Sequence, residues 1–345
     1  MTPPNRPLVT VSLVTYNGMS WLPACMASVR SQQLADFELL VLDNASTDGS
    51  LEWLRQQANE EPRMRLTESN QNLGYAAAHN RHLDSAQGAF LLLLNQDVEL
   101  DGAFLREAVD AFEGRPALAA VQGRLRQLSA DGTRMETLDS TGLQMRRDRR
   151  VVSRGQGEAD GPPHRLAGPV WGADGPAPVY RRIALLDAHL PRTGGGWEVL
   201  DEDFFMYKED VDLAWRLRRL GWSAWYAPSA LAWHARGAGV GAARSLFEIA
   251  RANQAIPRWI KSLSWRNQRL MQVKNETTGA FLRDLPWIMR REALSFAEMV
   301  VADPLRLAAL PALVRALPAA LRKRRYLGGS VAVPNRVAAT RAAPD

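Results

Sequence analysis

The sequence predicts an α/β protein with a doubly wound, mostly parallel sheet and a C-terminal helical extension. Three observations indicate this fold class. Apolar, β-branched runs alternate with segments of helical periodicity in the N-terminal part, which is the order of β-α-β units. The four leucines at positions 91–94 are typical of a strand buried on both faces, although so short a run does not exclude a helix. Beyond about residue 241, basic residues interleave with Trp and Leu, as in amphipathic helices.

The predicted elements follow one another through short connections. The predicted strands cover residues 9–16, 37–42, 64–67, 91–94 and 222–228, and the predicted helices cover residues 21–32, 51–57, 76–86 and 211–220. Asn17-Gly18 closes the first strand as a turn, and Gly221 ends the last of these helices. Between residues 114 and 168 the alternation weakens, and the Gly/Pro-rich residues 155–163 indicate hairpins or loops.

Length and composition restrict the class of protein. The 345 residues suffice for a large α/β domain with an appendage, and 46% hydrophobic and 23% charged residues are typical of a globular protein. The single cysteine, Cys25, excludes an internal disulfide framework and a cysteine-based zinc cluster. We expect a cytoplasmic protein, because the N-terminus has no basic segment followed by a long apolar one. We expect no membrane crossing, because no uncharged apolar run approaches the ~18–20 residues that span a bilayer.

The net charge of +6 is unevenly distributed along the chain. Residues 251–345 contain 17 Arg and Lys against 6 Asp and Glu, whereas residues 1–250 contain 26 against 31. A basic tail predicts a polyanionic partner, and its interleaved Trp and Leu residues favour an anionic membrane surface. We expect no nucleic-acid partner, because the acidic first part of the chain would repel phosphates.

Acidic side chains follow several of the predicted strands. The leucine run ends in Asn95-Gln96-Asp97, and Asp43 ends the second strand. Open α/β sheets bind ligands at the carboxyl ends of their strands, so Asp97 is well placed to hold a metal or a metal-bound diphosphate. Asn and Asp are also ordinary turn formers, and Asp97 alone therefore leaves both interpretations open.

Further candidates occur later in the chain. Glu209 and Asp210 begin a predicted helix, where the macrodipole favours carboxylates even without a function. His234 lies beside aromatic residues, where a histidine is more often packed than ligating. The Gly/Pro-rich residues 170–180 suit either a substrate-lining loop or a structural turn. In the first case, the candidates on the acceptor side are Trp171, Gly172 and Asp174.

Taken together, these motifs resemble the family 2 glycosyltransferases of the GT-A fold, especially their bacterial rhamnosyltransferase-like branch. The motifs lie in the family's order between about residues 8 and 240, and they are jointly specific. They are VSLVTYN, VLDNASTDGS, NLGYAAAHN, LLLNQDV, FFMYKEDVDLAWRLRRLGW and the HARG that begins at His234. The resemblance implies a catalytic domain over residues 1–241 and a basic amphipathic helical extension over residues 242–345.

The resemblance also implies a role for each motif. Asp97 and His234 are implied as ligands of Mg²⁺ or Mn²⁺, and Asp210, with Glu209 beside it, is implied as the catalytic base. Asn95 departs from the family pattern, which has an acid at this position of the metal motif. The residues implied in nucleotide-sugar binding are Thr15, Tyr16, Asn17, Asp43, Asp48, Asn72, Gly74 and Asn95. Hard divalent cations take such oxygen ligands and an occasional imidazole, and a carboxylate can accept the proton of an attacking hydroxyl.

We therefore expect a metal-dependent inverting glycosyltransferase with a nucleotide-diphosphate sugar as donor, dTDP-rhamnose being the favoured candidate. The acceptor would be a hydroxyl of a cell-surface polysaccharide or glycolipid precursor, either lipid-linked or a free saccharide. One alternative is a sugar nucleotidyltransferase, although a Gly-rich basic loop would then be expected after the first strand, where Thr15 to Gly18 stand. Another alternative is a non-catalytic, membrane-associated protein that binds nucleotide sugars.

The basic tail predicts a peripheral position on the inner face of the cytoplasmic membrane. Trp259, Trp265 and Trp287 would enter the headgroup boundary, while Arg and Lys contribute about 1 kcal/mol each near an anionic surface. The alternative is that the C-terminal helices pack on the catalytic domain, because amphipathic helices usually face a protein core.

Overall fold

The computed structural model describes residues 6–235, 256–301 and 303–330. The strands are β1 Val9–Thr15, β2 Phe37–Asp43, β3 Met64–Glu68, β4 Phe90–Asn95, β5 Val98–Leu100, β6 Leu118–Leu128, β7 Arg134–Ser140, β8 Leu143–Met145, β9 Val151–Ser153, β10 Gly168–Val170, β11 Val179–Arg181, β12 Leu190–Pro191, β13 Trp197–Glu198 and β14 Ser223–His234. The helices are α1 Leu22–Arg30, α2 Ser50–Glu60, α3 Gly74–Ser85, α4 Phe104–Asp110, α5 Arg182–Asp187, α6 Glu209–Arg219, α7 Arg258–Asn275, α8 Thr278–Val301 and α9 Ala309–Ser330. The elements from β1 to β4 overlap the strands and helices that the sequence predicts, whereas β5 and α4 were not predicted.

A ten-stranded mixed sheet forms the centre of the protein, with the path β10-β14-β6-β11-β4-β1-β2-β3. The four strands at one end, β4-β1-β2-β3, pair in parallel, which confirms the predicted doubly wound arrangement. In the other half, β6 and β14 are parallel, while β11 pairs antiparallel with both β4 and β6. Strand β11 has only three residues and lies in the Gly/Pro-rich segment, so no periodic pattern indicates it.

The leucine run is buried on both faces of β4, as predicted. Leu92 and Leu94 are 0% exposed and pack with the α1 side of the core. Leu91 and Leu93 are at most 2% exposed and pack on the other face with α5 and α6 residues. Two hydrophobic layers therefore fix this strand, and with it the position of the polar residues that follow it.

The register of the parallel strands brings their polar carboxyl ends to one edge. Thr15 pairs with Asp43, and Val14 pairs with Asn95. β14 reaches the same edge from the opposite half of the sheet, and His234 pairs there with Val98 of β5. The sheet thereby brings residues that are far apart in sequence next to Asp97.

The C-terminal helices α7 and α9 pack on the rest of the protein through buried ion pairs. Lys274 of α7 is 0% exposed and contacts Asp201 and, at 2.8 Å, Asp212. Lys323 of α9 is also 0% exposed and contacts Glu198 at 2.6 Å, Asp203 at 2.7 Å and Asp201. Removing one partner of such a buried pair leaves an uncompensated charge, so both helices are structural parts of the fold.

The interfacial tryptophans of the tail are only partly confirmed as exposed. Trp259 and Trp287 are 55% and 41% exposed, but Trp265 is 8% exposed and packs with Met299 and Ala309. The prediction that Trp265 enters a membrane is therefore wrong, because its helix face points to the protein. The predicted domain boundary at residues 241–242 lies outside the described residues.

Among the described residues, one segment, Pro304–Gly328, is long and apolar enough to cross a membrane, judged by length and composition alone. The sequence prediction considered only uncharged runs, whereas the most apolar 18-residue window of this segment has a mean hydropathy of 1.3 and includes the charged residues Arg306 and Arg315. Only 17% of its apolar window is buried. Its Lys323 contacts three acidic side chains of the sheet domain, which is the contact of a packed helix.

Candidate active site

A crevice of about 670 Å³ opens at the carboxyl edge of the sheet. It collects predicted residues from both halves of the chain, which the register described above places together. The predicted residues that line it are Tyr16, Asn72, Gly74, Asn95, Asp97, Asp174, Glu209, Asp210 and His234. Thr15, Asn17 and Asp43 adjoin lining residues without lining the crevice themselves, Asp48 is exposed on the loop after β2, and Trp171 and Gly172 line a separate small cavity.

In the lining of the crevice, Asp97 and His234 form a close pair. Asp97 Oδ1 and His234 Nε2 are 3.4 Å apart, and His234 Nδ1 is 2.9 Å from Asp139 Oδ2. Burial lowers the pKa of His234, but hydrogen bonds to Asp139 and Asp97 outweigh it and raise the pKa to about 9. The carboxylates thus make this corner electronegative, which also attracts a metal cation. Asp139 was missed by the sequence analysis, because it is an ordinary residue of β7 with no motif around it.

The donor set of this corner fits Mg²⁺ or Mn²⁺. One carboxylate and one imidazole nitrogen face a common point, and a carboxylate on the far ring nitrogen fixes the orientation of the imidazole. Within the described ranges, no group of three or more His, Cys, Asp or Glu side chains converges on one ion. Such cations keep several waters and use substrate phosphates as ligands, so two protein ligands are sufficient.

Asp43, which directly precedes the lining residue Asn44, has an oxygen without a partner. Asp43 is 0% exposed, and its Oδ2 accepts a hydrogen bond from the Ser46 amide at 3.0 Å. Its Oδ1 is buried and has no hydrogen-bond partner among the described residues. Buried acceptors are nearly always satisfied, so this oxygen is suited to a donor group of a ligand, such as a nucleoside.

The other residues predicted to bind nucleotide stabilise the loops of this edge. The Thr15 hydroxyl donates to Gln96 Oε1 at 2.5 Å and so links the ends of β1 and β4. Asn17 Oδ1 accepts from the Thr47 amide at 2.8 Å, and Asp48 Oδ2 accepts from the Met19 amide at 2.9 Å. These contacts connect the loop after β1 to the loop after β2, which is a role in shaping the site.

Gly74 lies at a close approach of two chain segments. Its φ is +77°, and an added Cβ would lie 2.5 Å from the Phe205 carbonyl oxygen. Asn72 Oδ1 accepts from the Gly74 amide at 2.8 Å, and Asn44 Nδ2 donates to the Gly74 carbonyl at 3.1 Å. Only glycine fits this position, and the NLGY motif therefore fixes where α3 begins.

Glu209 and Asp210, at the start of α6, form a second, acidic pair in the lining of the crevice. Glu209 is 7% exposed, and its Oε2 has no hydrogen-bond partner among the described residues. Asp210 is half-buried, and its Oδ2 accepts from the Gly175 amide at 3.2 Å. Burial raises the pKa of both carboxyls. The charge of Asp210 raises the pKa of Glu209 further, and the charge of Asp174 raises the pKa of Asp210 further. A carboxylate with a raised pKa is a stronger proton acceptor near neutral pH.

The predicted acceptor side is supported for one residue of three. Asp174 lines the crevice, and its Oδ2 accepts from the Ser153 hydroxyl at 2.6 Å. Trp171 instead packs against Trp215 of α6, with ring centroids 6.4 Å apart, and a Cβ on Gly172 would lie 2.5 Å from that of Ala214. Both residues are therefore contacts between the sheet and α6.

Several lining residues were missed by the sequence analysis. They are Lys208, Tyr75, Ser264 and the β9 residues Val151, Val152 and Ser153. The β8–β9 hairpin pairs only three residues per strand, and its signal is lost among the arginines of residues 146–150. Lys208 directly precedes the acidic pair, and a basic residue beside two carboxylates is the one signal that was available.

Comparison with known proteins agrees with this geometry. Residues 10–168 match the family described as glycosyl transferase family 2. N-acetylglucosaminyl-diphospho-decaprenol L-rhamnosyltransferase of Mycobacterium tuberculosis is 27% identical over 255 residues, which cover 66% of this chain and 76% of the relative.

Two solved structures share the fold. The mannosyltransferase PcManGT from Pyrobaculum calidifontis, in complex with GDP-Man and Mn²⁺, has a TM-score of 0.52 at 19% identity, covering 98% of this chain and 79% of its own. GalNAc-T7 with UDP, GalNAc and Mn²⁺ has a TM-score of 0.53 at 12% identity, covering 86% of this chain and 58% of its own. The GT-A-type sheet and the crevice at its carboxyl edge agree with the match of residues 10–168 to glycosyl transferase family 2.

Proposed function

We propose that this protein is a metal-dependent inverting glycosyltransferase that uses a nucleotide-diphosphate sugar as donor. One observation carries the proposal. A single crevice is lined by both the Asp97–His234 pair and the Glu209–Asp210 pair, and Asp43, which has an unsatisfied oxygen, directly precedes the lining residue Asn44. A cation site, a base and a nucleoside-binding oxygen are the three groups that transfer from a nucleotide sugar requires.

Asp210 is the proposed base. It accepts the proton of the acceptor hydroxyl while the acceptor oxygen forms its bond to the anomeric carbon. The bond from that carbon to the diphosphate oxygen breaks at the same time, and its electron pair leaves with the nucleotide diphosphate. Because attack and departure occur on opposite faces of the sugar, the configuration inverts and no covalent nucleophile is needed. The Gly175 amide orients the carboxylate of Asp210 for this step.

Asp97 and His234 would hold the divalent cation, and Asp139 would fix the imidazole through its other ring nitrogen. When bound, Mg²⁺ or Mn²⁺ supplies neutralisation of the charge that develops on the departing diphosphate. The two structural neighbours support this assignment, because PcManGT is in complex with GDP-Man and Mn²⁺ and GalNAc-T7 with UDP, GalNAc and Mn²⁺.

The donor sugar and acceptor are proposed from the relative. The mycobacterial protein is named as a rhamnosyltransferase that acts on N-acetylglucosaminyl-diphospho-decaprenol, and this chain covers 76% of its length. We therefore place a deoxyhexose such as rhamnose, carried by dTDP, first among donors. A hydroxyl of a lipid-linked saccharide, of the kind that precedes cell-surface polysaccharides, is placed first among acceptors.

A donor panel tests the activity. Purified protein with Mn²⁺ is incubated with individual nucleotide-diphosphate sugars and saccharide acceptors, and released nucleotide diphosphate is measured. The proposal expects acceptor-dependent release with one class of donor and a product of inverted anomeric configuration by NMR. Formation of pyrophosphate from a nucleoside triphosphate and a sugar 1-phosphate would instead support the sugar nucleotidyltransferase. Donor binding without turnover of any acceptor would support the non-catalytic binding protein.

We further propose that α8 docks the protein peripherally on the inner face of the cytoplasmic membrane. Leu282, Met289 and Phe296 recur every seven residues on α8 and are 62%, 57% and 51% exposed. This spacing places them on one helix face, and exposed Arg283 and Arg290 lie beside it. An apolar stripe flanked by arginines suits the headgroup region of an anionic bilayer, where a lipid-linked acceptor is found.

Sedimentation with liposomes tests the location. Binding should increase with anionic lipid and decrease with salt, and Leu282→Gln with Met289→Gln should remove it. Leu166→Gln is the matched control, because Leu166 is 74% exposed and lies outside α8. If the wild-type protein ignores anionic vesicles at low salt, the peripheral location is wrong. If binding resists high salt and carbonate extraction, the segment Pro304–Gly328 becomes the membrane contact.

A further inference from the structure

We propose that Asn267 of α7 is a positioning residue that holds the loop carrying Glu209 and Asp210 in its catalytic conformation. Asn267 lies about a hundred positions beyond residues 10–168, which match glycosyl transferase family 2, in the predicted helical extension. The inference rests on the proposed function, because it assigns Asn267 a role in placing the base of that reaction.

The loop before the acidic pair has an unfavourable backbone conformation. Phe205, Tyr207 and Lys208 have φ values of +64°, +67° and +78°, and none of them is glycine. Left-handed conformations are rare for residues with large side chains, and they persist only where surrounding contacts enforce them. Lys208 is also the residue immediately before α6, so its conformation sets the direction in which Asp210 enters the crevice.

Asn267 supplies most of those contacts. Its side-chain amide nitrogen is 2.9 Å from each of three carbonyl oxygens of the loop, those of Phe204, Met206 and Tyr207. The remaining carbonyl, that of Phe205, accepts from the Tyr75 amide at 2.8 Å. All four successive carbonyls of the loop are therefore satisfied. The Phe204 carbonyl also accepts from the Met206 amide at 2.7 Å, so the carbonyls of Met206 and Tyr207 are the two that depend on the Asn267 side chain.

The donor groups of the Asn267 side chain are hard to replace, because the side chain is buried. Its side chain is 0% exposed, so water cannot replace the lost donor groups without a change in packing. An aspartate of the same size would present an acceptor to these carbonyl oxygens, and an alanine would remove the donor to the carbonyls of Met206 and Tyr207. The neighbouring Arg266 donates to the Asp203 carbonyl at 2.6 Å, so α7 follows the loop along its length.

The contacts of Asn267 predict that its loss affects kcat and not donor affinity. Asp97, His234 and Asp43 are held by strands and by the loops of the N-terminal half, with no contact to Asn267. Loss of the Asn267 contacts should therefore displace Asp210 and leave the cation and nucleoside groups in place. Because a displacement of about 1 Å can reduce a rate by about 10²-fold, kcat should fall while donor affinity is retained.

The experiment compares Asn267→Ala and Asn267→Asp with wild type in the full-length protein. Both variants should lower kcat by about 10- to 100-fold. The dissociation constant of the nucleotide diphosphate with Mn²⁺, measured by calorimetry, should stay within about twofold of wild type, as expected for a group that acts only on the base. Hydrogen exchange should rise at the amides of residues 205–210, and this readout does not require catalysis.

Arg269→Met is the matched control on the same helix. Arg269 donates to Ser295 at 3.3 Å and pairs with Glu292, so this change weakens the contact between α7 and α8 without touching the loop. It should lower the melting temperature and leave kcat unchanged.

Unaltered kcat in a folded Asn267→Asp variant would overturn the inference, as would a parallel loss of donor affinity or an equal kcat loss in Arg269→Met. If the Asn267 variants do not fold, hydrogen exchange of the wild-type loop decides, because the inference requires slow exchange at residues 205–210. Absence of turnover in the wild type would instead count against the proposed function.

Discussion

The two sides of the crevice hold their carboxylates in different ways. Asp97 follows a strand whose four leucines are at most 2% exposed, and the pairing of His234 with Val98 fixes its partner. Asp210 follows a loop with three left-handed residues, and Asn267 stabilises that loop from a helix far along the chain. The cation side is thus built by neighbouring strands, whereas the base side depends on the packing of the C-terminal helices.

This difference explains why the residues that match the family do not include all residues of the proposed active site. The matched residues 10–168 include Asp97 and Asp43 but neither the acidic pair nor α7. Lys274 of α7 and Lys323 of α9 form ion pairs with Asp201 and Asp203, which lie shortly before Glu209 and Asp210 in the chain. Part of the extension therefore packs on the region of the proposed base, whereas the apolar stripe of α8 is exposed.

The largest expected effect is that of Asp97→Ala. It should reduce turnover by about 10³-fold or more, because neutralisation of the leaving diphosphate is worth several kcal/mol. Excess EDTA should have the same effect on the wild type. Asp110→Ala, which removes an exposed carboxylate of α4, is the control and should be fully active. Normal turnover in EDTA would contradict the cation assignment.

The next effect is that of Asp210→Asn, which keeps the size of the side chain and removes the base. Turnover should fall by roughly 10² to 10⁴-fold, the usual contribution of a general base. Glu209→Gln should reduce it less, because Glu209 is only 7% exposed and the Gly175 amide donates to Asp210. A larger loss in Glu209→Gln than in Asp210→Asn would exchange the two roles.

A smaller effect is expected for Asp139→Asn, which tests the support of the cation side. Mutation of a carboxylate that orients a ligating histidine typically costs about 10- to 100-fold in metal affinity or activity. The Mn²⁺ concentration needed for half-maximal activity should rise accordingly. Ser140→Ala, a buried change next to it on β7, should leave this concentration unaltered. If Asp139→Asn behaves like Ser140→Ala, His234 is not a ligand.

The pH dependence should differ between the two sides as well. Burial and the charge of Asp174 raise the pKa of Asp210, and the base must be ionised to accept a proton. Activity should therefore be lost as pH falls through this raised pKa, and the acid limb of kcat should lie well above the ordinary aspartate value of about 3.9. An acid limb near pH 4 in the wild type would contradict the role of Asp210.

The contribution of Glu209 to the stability of the folded protein changes with pH in the direction opposite to that of the activity. A carboxyl with a raised folded-state pKa stabilises the protein below its unfolded pKa and loses this contribution as pH rises through the folded pKa. Glu209 is in this class, because burial and Asp210 raise its pKa. Glu209→Gln should therefore raise the melting temperature by a few degrees at pH 8 and less at pH 5. An unchanged difference across this range would show that Glu209 stays ionised in the fold.

The strand-based side could be predicted from the sequence because its signals are local. A continuous apolar run followed by Asp97 already indicates a carboxylate at the ligand edge of a parallel sheet. The β-α-β order then brings Asp43 and Asn95 to the same edge, and the structure confirms this register.

The remaining parts of the site depend on contacts that no local pattern reports. Asp139 and His234 are 95 positions apart, and Asn267 and Phe204 are 63 positions apart. The exposed face of an amphipathic helix is equally ambiguous, and Trp265 was assigned to the wrong side for this reason. Trp171 and Gly172 show the same ambiguity, because Gly next to Trp fits either a substrate loop or tight packing on α6.

Calorimetry of nucleotide-diphosphate binding tests the division of the crevice most directly. The titration is made with and without Mn²⁺ on the wild type, Asp97→Ala and Asp210→Asn. We expect Mn²⁺-dependent binding in the wild type and in Asp210→Asn, and loss of the Mn²⁺ dependence in Asp97→Ala. Loss of binding in Asp210→Asn, or unchanged Mn²⁺-dependent binding in Asp97→Ala, would contradict the assignment of the cation to Asp97 and of the base to Asp210.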